Sequence, residues 1–334
     1  MIPDPPLLFG LHGSQAYAER VAKHLGCHLA AHEERHFEDG EHKCRPLIPV
    51  QGRQTLVVFG LHQDADYSVN DKLCRLLFFC SALKDAGASQ VQVVLPYLCY
   101  ARKERRTQPW DPITNRYIAV LLEAAGIDRL LALEVHNSAA FDNAFRIPTQ
   151  HLESAELFAK YFARLTAGTE VVAVSPDTGG IKRVEQFRRA LEQRSGRPVG
   201  SAYLEKFRSN EVVTGGRLIG ELGGKTAILV DDLISTGTTL LRAGLACQAA
   251  GAVRILGAAA HGLFTGGSAL LDSPVFERIA ICDSVPPFRL DPARVAGRLD
   301  ILDSTVAVAA CLAATYNLSL VENNDDDRVE TGRA

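Results

Sequence analysis

Two tandem α/β domains, each a mostly parallel sheet flanked by helices and related to the other by duplication, are the fold this sequence predicts. Two observations carry it. Apolar runs at 56–59, 91–95, 130–133, 171–174, 227–230 and 255–260 are each of strand length, and most are separated by amphipathic stretches long enough for a helix. Strands buried on both faces have that composition, and helix-length crossovers join parallel strands. The two halves also echo each other. Thr55-Leu56-Val57-Val58-Phe59 is followed by a helical stretch, Ala86-Gly87-Ala88 and a second apolar run; Thr226-Ala227-Ile228-Leu229-Val230 is followed by a helical stretch, Ala250-Gly251-Ala252 and a second apolar run. The strand leading into Gly13-Ser14 and a helix likewise parallels the one leading into Gly179-Gly180. Self-similarity on this scale is the mark of a repeated unit.

In chain order, the first domain is expected to span 1–150, ending at the Ile147-Pro148 punctuation, and the second 151–303. The helical pattern at 304–316 is open to either domain, including a return to the first. From 322 to 334 the chain is polar and acidic, with Asn323-Asn324-Asp325-Asp326-Asp327, and is expected to be a disordered tail. The 334 residues suffice for two cores. A net charge of −3 excludes a broad basic surface for nucleic acid. No apolar run approaches the ~20 residues of a membrane span, and the first residues lack a secretory leader's basic start and apolar stretch. The eight cysteines contain no Cys-x-x-Cys pair and mostly sit in apolar stretches, as reduced core thiols do, so a cytoplasmic location is expected.

Chemistry is densest where the strand at 227–230 ends. Asp231-Asp232-Leu233-Ile234-Ser235-Thr236-Gly237-Thr238-Thr239 places two carboxylates just before a hydroxyl- and glycine-rich turn that opens a helix. Backbone N–H groups and the positive end of the helix dipole converge at such a turn and suit a phosphate. The hydroxyls of Ser235, Thr236, Thr238 and Thr239 add donors, and Gly237 allows close approach. Two acids beside an anion make sense if they accept hydrogen bonds from a sugar's vicinal hydroxyls, so the implied ligand is a ribose 5-phosphate moiety. The loop resembles the signature of the phosphoribosyltransferase superfamily, and the resemblance implies that both domains are phosphoribosyltransferase-like.

Further segments resemble the ribose-phosphate pyrophosphokinases, in that family's order along nearly the whole chain. Phe37-Glu38-Asp39-Gly40-Glu41 looks like the family's adenine-binding loop, implying ATP contacts from Phe37, Asp39 and Glu41. In the family this loop reaches a neighbouring subunit's site, which implies a homo-oligomer. Arg102-Lys103-Glu104-Arg105, after Pro96-Tyr97-Leu98-Cys99-Tyr100-Ala101, is similar to the segment that holds ATP phosphates. Glu134-Val135-His136 matches a motif whose histidine meets magnesium or an ATP phosphate, and Ser175-Pro176-Asp177-Thr178-Gly179-Gly180 one whose aspartate is a hard oxygen ligand for Mg2+. Lys206 and Arg208, in Glu205-Lys206-Phe207-Arg208, correspond to the catalytic cations of a loop that closes over the phosphates. The resemblance thus implies a Mg2+-dependent ribose-phosphate diphosphokinase that converts ATP and ribose 5-phosphate to AMP and 5-phosphoribosyl 1-diphosphate.

The sequence departs from the family pattern at Lys103, Glu134, Phe207 and Ser235; the Ser-Thr-Gly form of the loop is more typical of archaeal members. Two other readings share the loop at 231–239. A phosphoribosyltransferase leaves 37–41, 102–105 and 206–208 without a task. A non-catalytic regulatory homologue would more naturally have lost Lys206 or the acid pair, and both are kept. His24, His28, His32 and His36 recur every fourth residue, but Gly26 and the following loop argue against one helical metal-binding stripe.

Overall fold

The computed structural model describes residues 5–209, 212–321 and 329–331, with the side chains of 206–216, 294 and 329–331 outside the description. The chain divides into two compact units, one built on residues up to Leu152 together with the helix from Thr305, the other on Glu153–Ser304.

The first unit runs β1 (Leu7–Gly10), α1 (Gln15–His24), β2 (His32–His36), β3 (His42–Pro46), β4 (Gln54–Val58), α2 (Val69–Asp85), β5 (Gln90–Leu95), α3 (Thr114–Ala124), β6 (Arg129–Leu133), α4 (Ser138–Ala144) and β7 (Thr149–Leu152). Its sheet has the order β1-β4-β5-β6-β7 and is parallel throughout, while β2 and β3 form a separate antiparallel ribbon. The second unit runs α5 (Ala155–Leu165), β8 (Val171–Ser175), a 3-10 turn (Thr178–Gly180), α6 (Ile181–Ser195), β9 (Val199–Ser209), β10 (Val212–Ile219), β11 (Thr226–Ile234), α7 (Thr238–Ala249), β12 (Arg254–Gly262), α8 (Ala269–Asp272), β13 (Arg278–Cys282), α9 (Pro292–Val295) and β14 (Leu299–Leu302). The chain then forms α10 (Thr305–Tyr316) and β15 (Val329–Thr331). The second sheet has the order β10-β9-β8-β11-β12-β13-β14-β15, antiparallel only at its two outer pairs.

The duplication is visible strand by strand. The order β1-β4-β5-β6-β7 is repeated by β8-β11-β12-β13-β14, and the runs at 55–59 and 226–230 fall on equivalent strands. After the first strand of each copy comes one helix and then an antiparallel pair. In the first unit that pair stands apart from the sheet; in the second, β9 joins β8 in parallel.

The helix after the last strand of each copy joins the other copy. α5 follows β7 yet belongs to the second unit, and α10 follows β14 yet belongs to the first. Phe162 of α5 meets Phe187 of α6 edge to face, with centroids 5.9 Å apart. Val308, Ala309, Leu312, Ala313 and Tyr316 of α10 pack with Ala18, Val21 and Ala22 of α1 and with Leu8, Leu56 and Leu131 of the sheet. The Tyr316 hydroxyl donates to Gln92 Oε1 at 2.8 Å, so the helix also satisfies a polar side chain buried in β5.

The tail expected to be disordered from 322 contributes one described stretch. Val329–Thr331 pairs antiparallel with β14, where an edge strand offers unpaired backbone groups and two β-branched residues suit extension; 322–328 and 332–334 lie outside the described residues. All eight cysteines are free, and burial pushes the Cys99 and Cys247 thiols up to about 12. Among the described residues no helix is long and apolar enough to cross a membrane.

Candidate active site

In an open parallel sheet, ligands bind beyond the carboxyl ends of the strands where the strand order reverses. The second unit reverses between β8 and β11: from β8 the chain goes out to β9 on one side, and β11 lies on the other. The ends of these two strands and the loops that leave them carry Ser175–Gly180 and Asp231–Gly237, the two motifs whose chemistry stood out in the sequence; β11 runs on through both acids to Ile234.

At the end of β11, Asp232 is buried and its backbone N–H donates to Asp231 Oδ1 at 2.9 Å. Arg183 Nη1 lies 3.6 Å from Asp232 Oδ1. Burial, and next the adjacent Asp232 charge, push the Asp231 carboxyl up to about 8, with Arg183 pulling the other way. Near neutral pH the two acids therefore retain a proton between them. One carboxylate that accepts and one carboxyl that also donates is a set matched to a pair of adjacent hydroxyls.

Five residues after Asp232, Gly237 caps α7 with φ +83°, a left-handed conformation open to glycine. A Cβ there would also lie 2.8 Å from Leu270 Cβ. The hydroxyls of Thr236 and Thr238 are 3.0 Å apart and the Thr238 N–H donates to Thr236 Oγ1 at 3.4 Å, so donors gather around the helix start. The loop after β12 buttresses this turn. Thr265 N–H donates to the Ser235 carbonyl at 2.9 Å, and its hydroxyl lies 3.2 Å from Ser235 Oγ.

At the end of β8, Asp177 Oδ1 accepts from the N–H groups of Gly179 and Gly180 at 3.0 and 3.3 Å and caps the 3-10 turn. Its carboxylate is therefore held in one orientation. Gly180 leaves room for the Ser175 hydroxyl: a Cβ there would lie 2.7 Å from Ser175 Oγ and displace it. The backbones of Lys206 and Arg208 lie in β9, opposite Gly216 and Val213 of β10; their side chains are outside the described residues.

In the first unit the chain leaves β6 through Glu134, at φ +40°, and Val135 to reach the exposed His136. Asn137 then caps α4 by accepting from Ala140 N–H at 3.1 Å. The same Asn137 donates to Glu104 Oε1 at 3.0 Å, so the segment at 102–105 is brought beside His136. Arg102 is exposed, whereas the Lys103 ammonium bonds Asp111 at 2.5 Å and Thr107 at 3.1 Å. That contact is also the main cause of the lowered Asp111 pKa. Lys103 thus closes its own loop. The tip of the β2–β3 ribbon is a tight turn: Phe37 N–H donates to Glu41 O at 2.9 Å, and Glu41 N–H to Asp39 Oδ1 at 3.1 Å. It leaves Phe37 41% exposed, with Arg35 5.2 Å above its ring.

His136 and Asp177 are an imidazole and a hard oxygen donor. Among the described residues no group of three or more His, Cys, Asp or Glu side chains forms a cage for a metal. A carboxylate such as that of Asp177 is the kind of hard oxygen donor that suits a magnesium ion keeping most of its waters.

Two site residues escaped the sequence reading. Arg183 carries a signal that was available, since a cation in the first turn of a helix opposes the dipole and calls for a compensating partner; here that partner is Asp232. Thr265 had none, because only the pairing of β11 with β12 sets its loop against Ser235.

Comparison with known proteins agrees with this geometry. The model of the N-terminal domain of ribose phosphate pyrophosphokinase matches residues 7–126, that of the phosphoribosyl transferase domain 142–261, and that of the phosphoribosyl synthetase-associated domain 209–317. Ribose-phosphate pyrophosphokinase 1 of Streptococcus pneumoniae is 34% identical over 83% of this chain and 84% of its own length. A putative ribose-phosphate pyrophosphokinase 2 of Streptococcus pyogenes is 35% identical over 83% and 82%. The crystal structure of phosphoribosylpyrophosphate synthetase from Mycobacterium smegmatis superimposes with a TM-score of 0.81 at 27% identity, covering 94% of this chain and 99% of that one. With its acid pair and glycine turn at the β8/β11 reversal, and with relatives alike over most of their length, the chain belongs to the ribose-phosphate pyrophosphokinase family.

Proposed function

We propose that this protein transfers the diphosphoryl group of ATP to the 1-hydroxyl of ribose 5-phosphate, giving AMP and 5-phosphoribosyl 1-diphosphate for nucleotide biosynthesis in the cytoplasm. The observation that carries the reading is the end of β11, where a carboxyl pair and a helix-opening turn follow one another at the strand-order reversal. The turn at Ser235, Thr236, Gly237, Thr238 and Thr239 binds the 5-phosphate; Asp231 and Asp232 bind the 2- and 3-hydroxyls. The sugar is then oriented with its 1-hydroxyl toward the β-phosphorus of ATP, and in-line attack there expels AMP.

Phe37 stacks on adenine, while Asp39 and Glu41 accept from its amino group. The phosphates lie against Arg102 and His136, with Lys103 and Glu104 beside them on loops held by their contacts to Asp111 and Asn137. His136 and Asp177 would hold Mg2+, which when bound would neutralise phosphate charge. Lys206 and Arg208 oppose the negative charge that builds on the transferring group, where one lost donor typically costs about 100–1,000-fold in rate. The assembly is a homo-oligomer in which the 37–41 turn completes a neighbouring copy's nucleotide site.

The test is incubation of the purified chain with ATP, ribose 5-phosphate and Mg2+. AMP should appear only with all three present, in step with an acid-labile sugar diphosphate. Release of ADP instead of AMP, or no turnover by the chain alone, would overturn the reading.

A further inference from the structure

Among the described residues, the ribbon formed by β2 and β3 pairs with no other strand. Two strands alone are marginal in water, and the turn that the proposed function assigns to adenine sits at the ribbon's tip. Something must fix it. On β2, His32, Glu34 and His36 share one face, because alternate residues of a strand do. That face meets Arg75 of α2, only 3% exposed, and Tyr67 from the loop before it.

The contacts there lock one geometry. Arg75 Nη2 donates to His36 Nδ1 at 3.1 Å, and the guanidinium lies 4.1 Å over the Tyr67 ring. The Tyr67 ring stacks on His36 with centroids 5.3 Å apart and planes 9° from parallel, and its hydroxyl meets His36 Nε2. A guanidinium can only donate, so Nδ1 must carry the lone pair, and a neutral His36 must place its hydrogen on Nε2, toward Tyr67 Oη. Tautomer and ring orientation are both fixed, one residue before Phe37. Glu34 completes the arrangement. Its Oε1 accepts from His12 N–H at 2.8 Å and from His32 Nε2 at 3.0 Å, while its other oxygen is 3.9 Å from Arg75 Nη1.

This arrangement is a poor way to gain stability. Arg75 Nε and Nη1 are buried without a hydrogen-bond acceptor among the described residues. A buried cation so incompletely paired is often matched or bettered by an apolar side chain of similar volume. What the cluster provides is direction.

We infer that Arg75, Tyr67 and His36 are positioning residues that hold the β2–β3 ribbon so that its tip meets the adenine of the nucleotide, setting the affinity for ATP without touching the sugar site. The inference rests on the nucleotide role proposed for 37–41.

Steady-state kinetics and thermal melts of four variants of the full-length chain test it. Arg75→Met and His36→Leu should each raise KM for ATP by about tenfold or more, with kcat and the KM for ribose 5-phosphate within about twofold of wild type, the pattern of lost uniform binding. The melting temperature of Arg75→Met should be unchanged or higher. His36→Asn, which returns an acceptor toward Arg75, should recover most of the ATP affinity. His36 is exposed, so its variants remain informative if Arg75→Met does not fold. A fall in melting temperature with all kinetic constants worsening together, in both Arg75→Met and His36→Leu, would reduce the cluster to a structural part and overturn the inference. Phe37→Ala separates the two layers. If it raises KM for ATP while the cluster variants do not, the inference fails and the nucleotide role of the turn stands; if Phe37→Ala leaves KM for ATP unchanged, that role falls and the inference falls with it.

Discussion

Asp231 is where function and stability oppose each other within one residue. Its folded pKa lies above the ordinary carboxylate value, because burial and Asp232 both disfavour a second charge. The folded state therefore holds a proton that the unfolded chain releases. The associated stabilisation is complete below pH ~4 and is lost as pH rises toward about 8. Asp231→Asn removes this dependence, so its melting temperature should change less than that of the wild type between pH 6 and 9. The same variant should raise KM for ribose 5-phosphate by roughly two- to tenfold, the loss of one neutral hydrogen bond. Thermal melts at the two pH values and sugar-phosphate titration read the two effects separately. Arg183 works in the opposite sense by opposing the build-up of negative charge. Arg183→Gln leaves Asp232 largely buried without its cation and should cost about 3 kcal/mol in denaturant unfolding; an unchanged midpoint would show that the 3.6 Å pairing carries no weight.

Among the elements, α7 depends on a single backbone conformation. Gly237→Ala must place a side chain at φ +83° and within 2.8 Å of Leu270 Cβ. Left-handed backbone costs about 1–2 kcal/mol and overpacking at least as much again, so a loss of about 3 kcal/mol is expected. Because the strain sits on the turn itself, KM for ribose 5-phosphate should rise in parallel, as titration would show. The acid pair and this turn were legible in the sequence because a strand end, two carboxylates and a hydroxyl-glycine run are all local. The ribbon was only half legible: its turn could be identified at Phe37–Glu41, but its anchors Tyr67 and Arg75 lie some thirty to forty residues on, beyond any periodicity. The four-residue histidine spacing was correctly set aside, since His24 ends α1 whereas His32 and His36 lie on β2.

At the scale of the whole molecule, the two copies exchange their last helices. Burial of Val308, Leu312 and Tyr316 with Ala309 and Ala313 is worth on the order of 8 kcal/mol, as much as the net stability of many domains. A chain stopped after residue 303 should therefore fail to give a soluble first unit, although it keeps every strand of both sheets' parallel cores; soluble, cooperative unfolding of that truncation would show the exchange to be dispensable. The sequence by itself determined the two-copy α/β design, because buried parallel strands must be short, apolar and separated by helices, and it determined the acid pair with its helix-opening turn, because those residues are contiguous. Only the tertiary structure decided the unit to which α10 returns and which partners complete the site. An uncharged helix that is apolar on every side carries no sign of the surface it will cover. Contacts such as Arg183 with Asp232, Thr265 with Ser235 and Arg75 with His36 come into being only when the sheets and helices bring distant segments together.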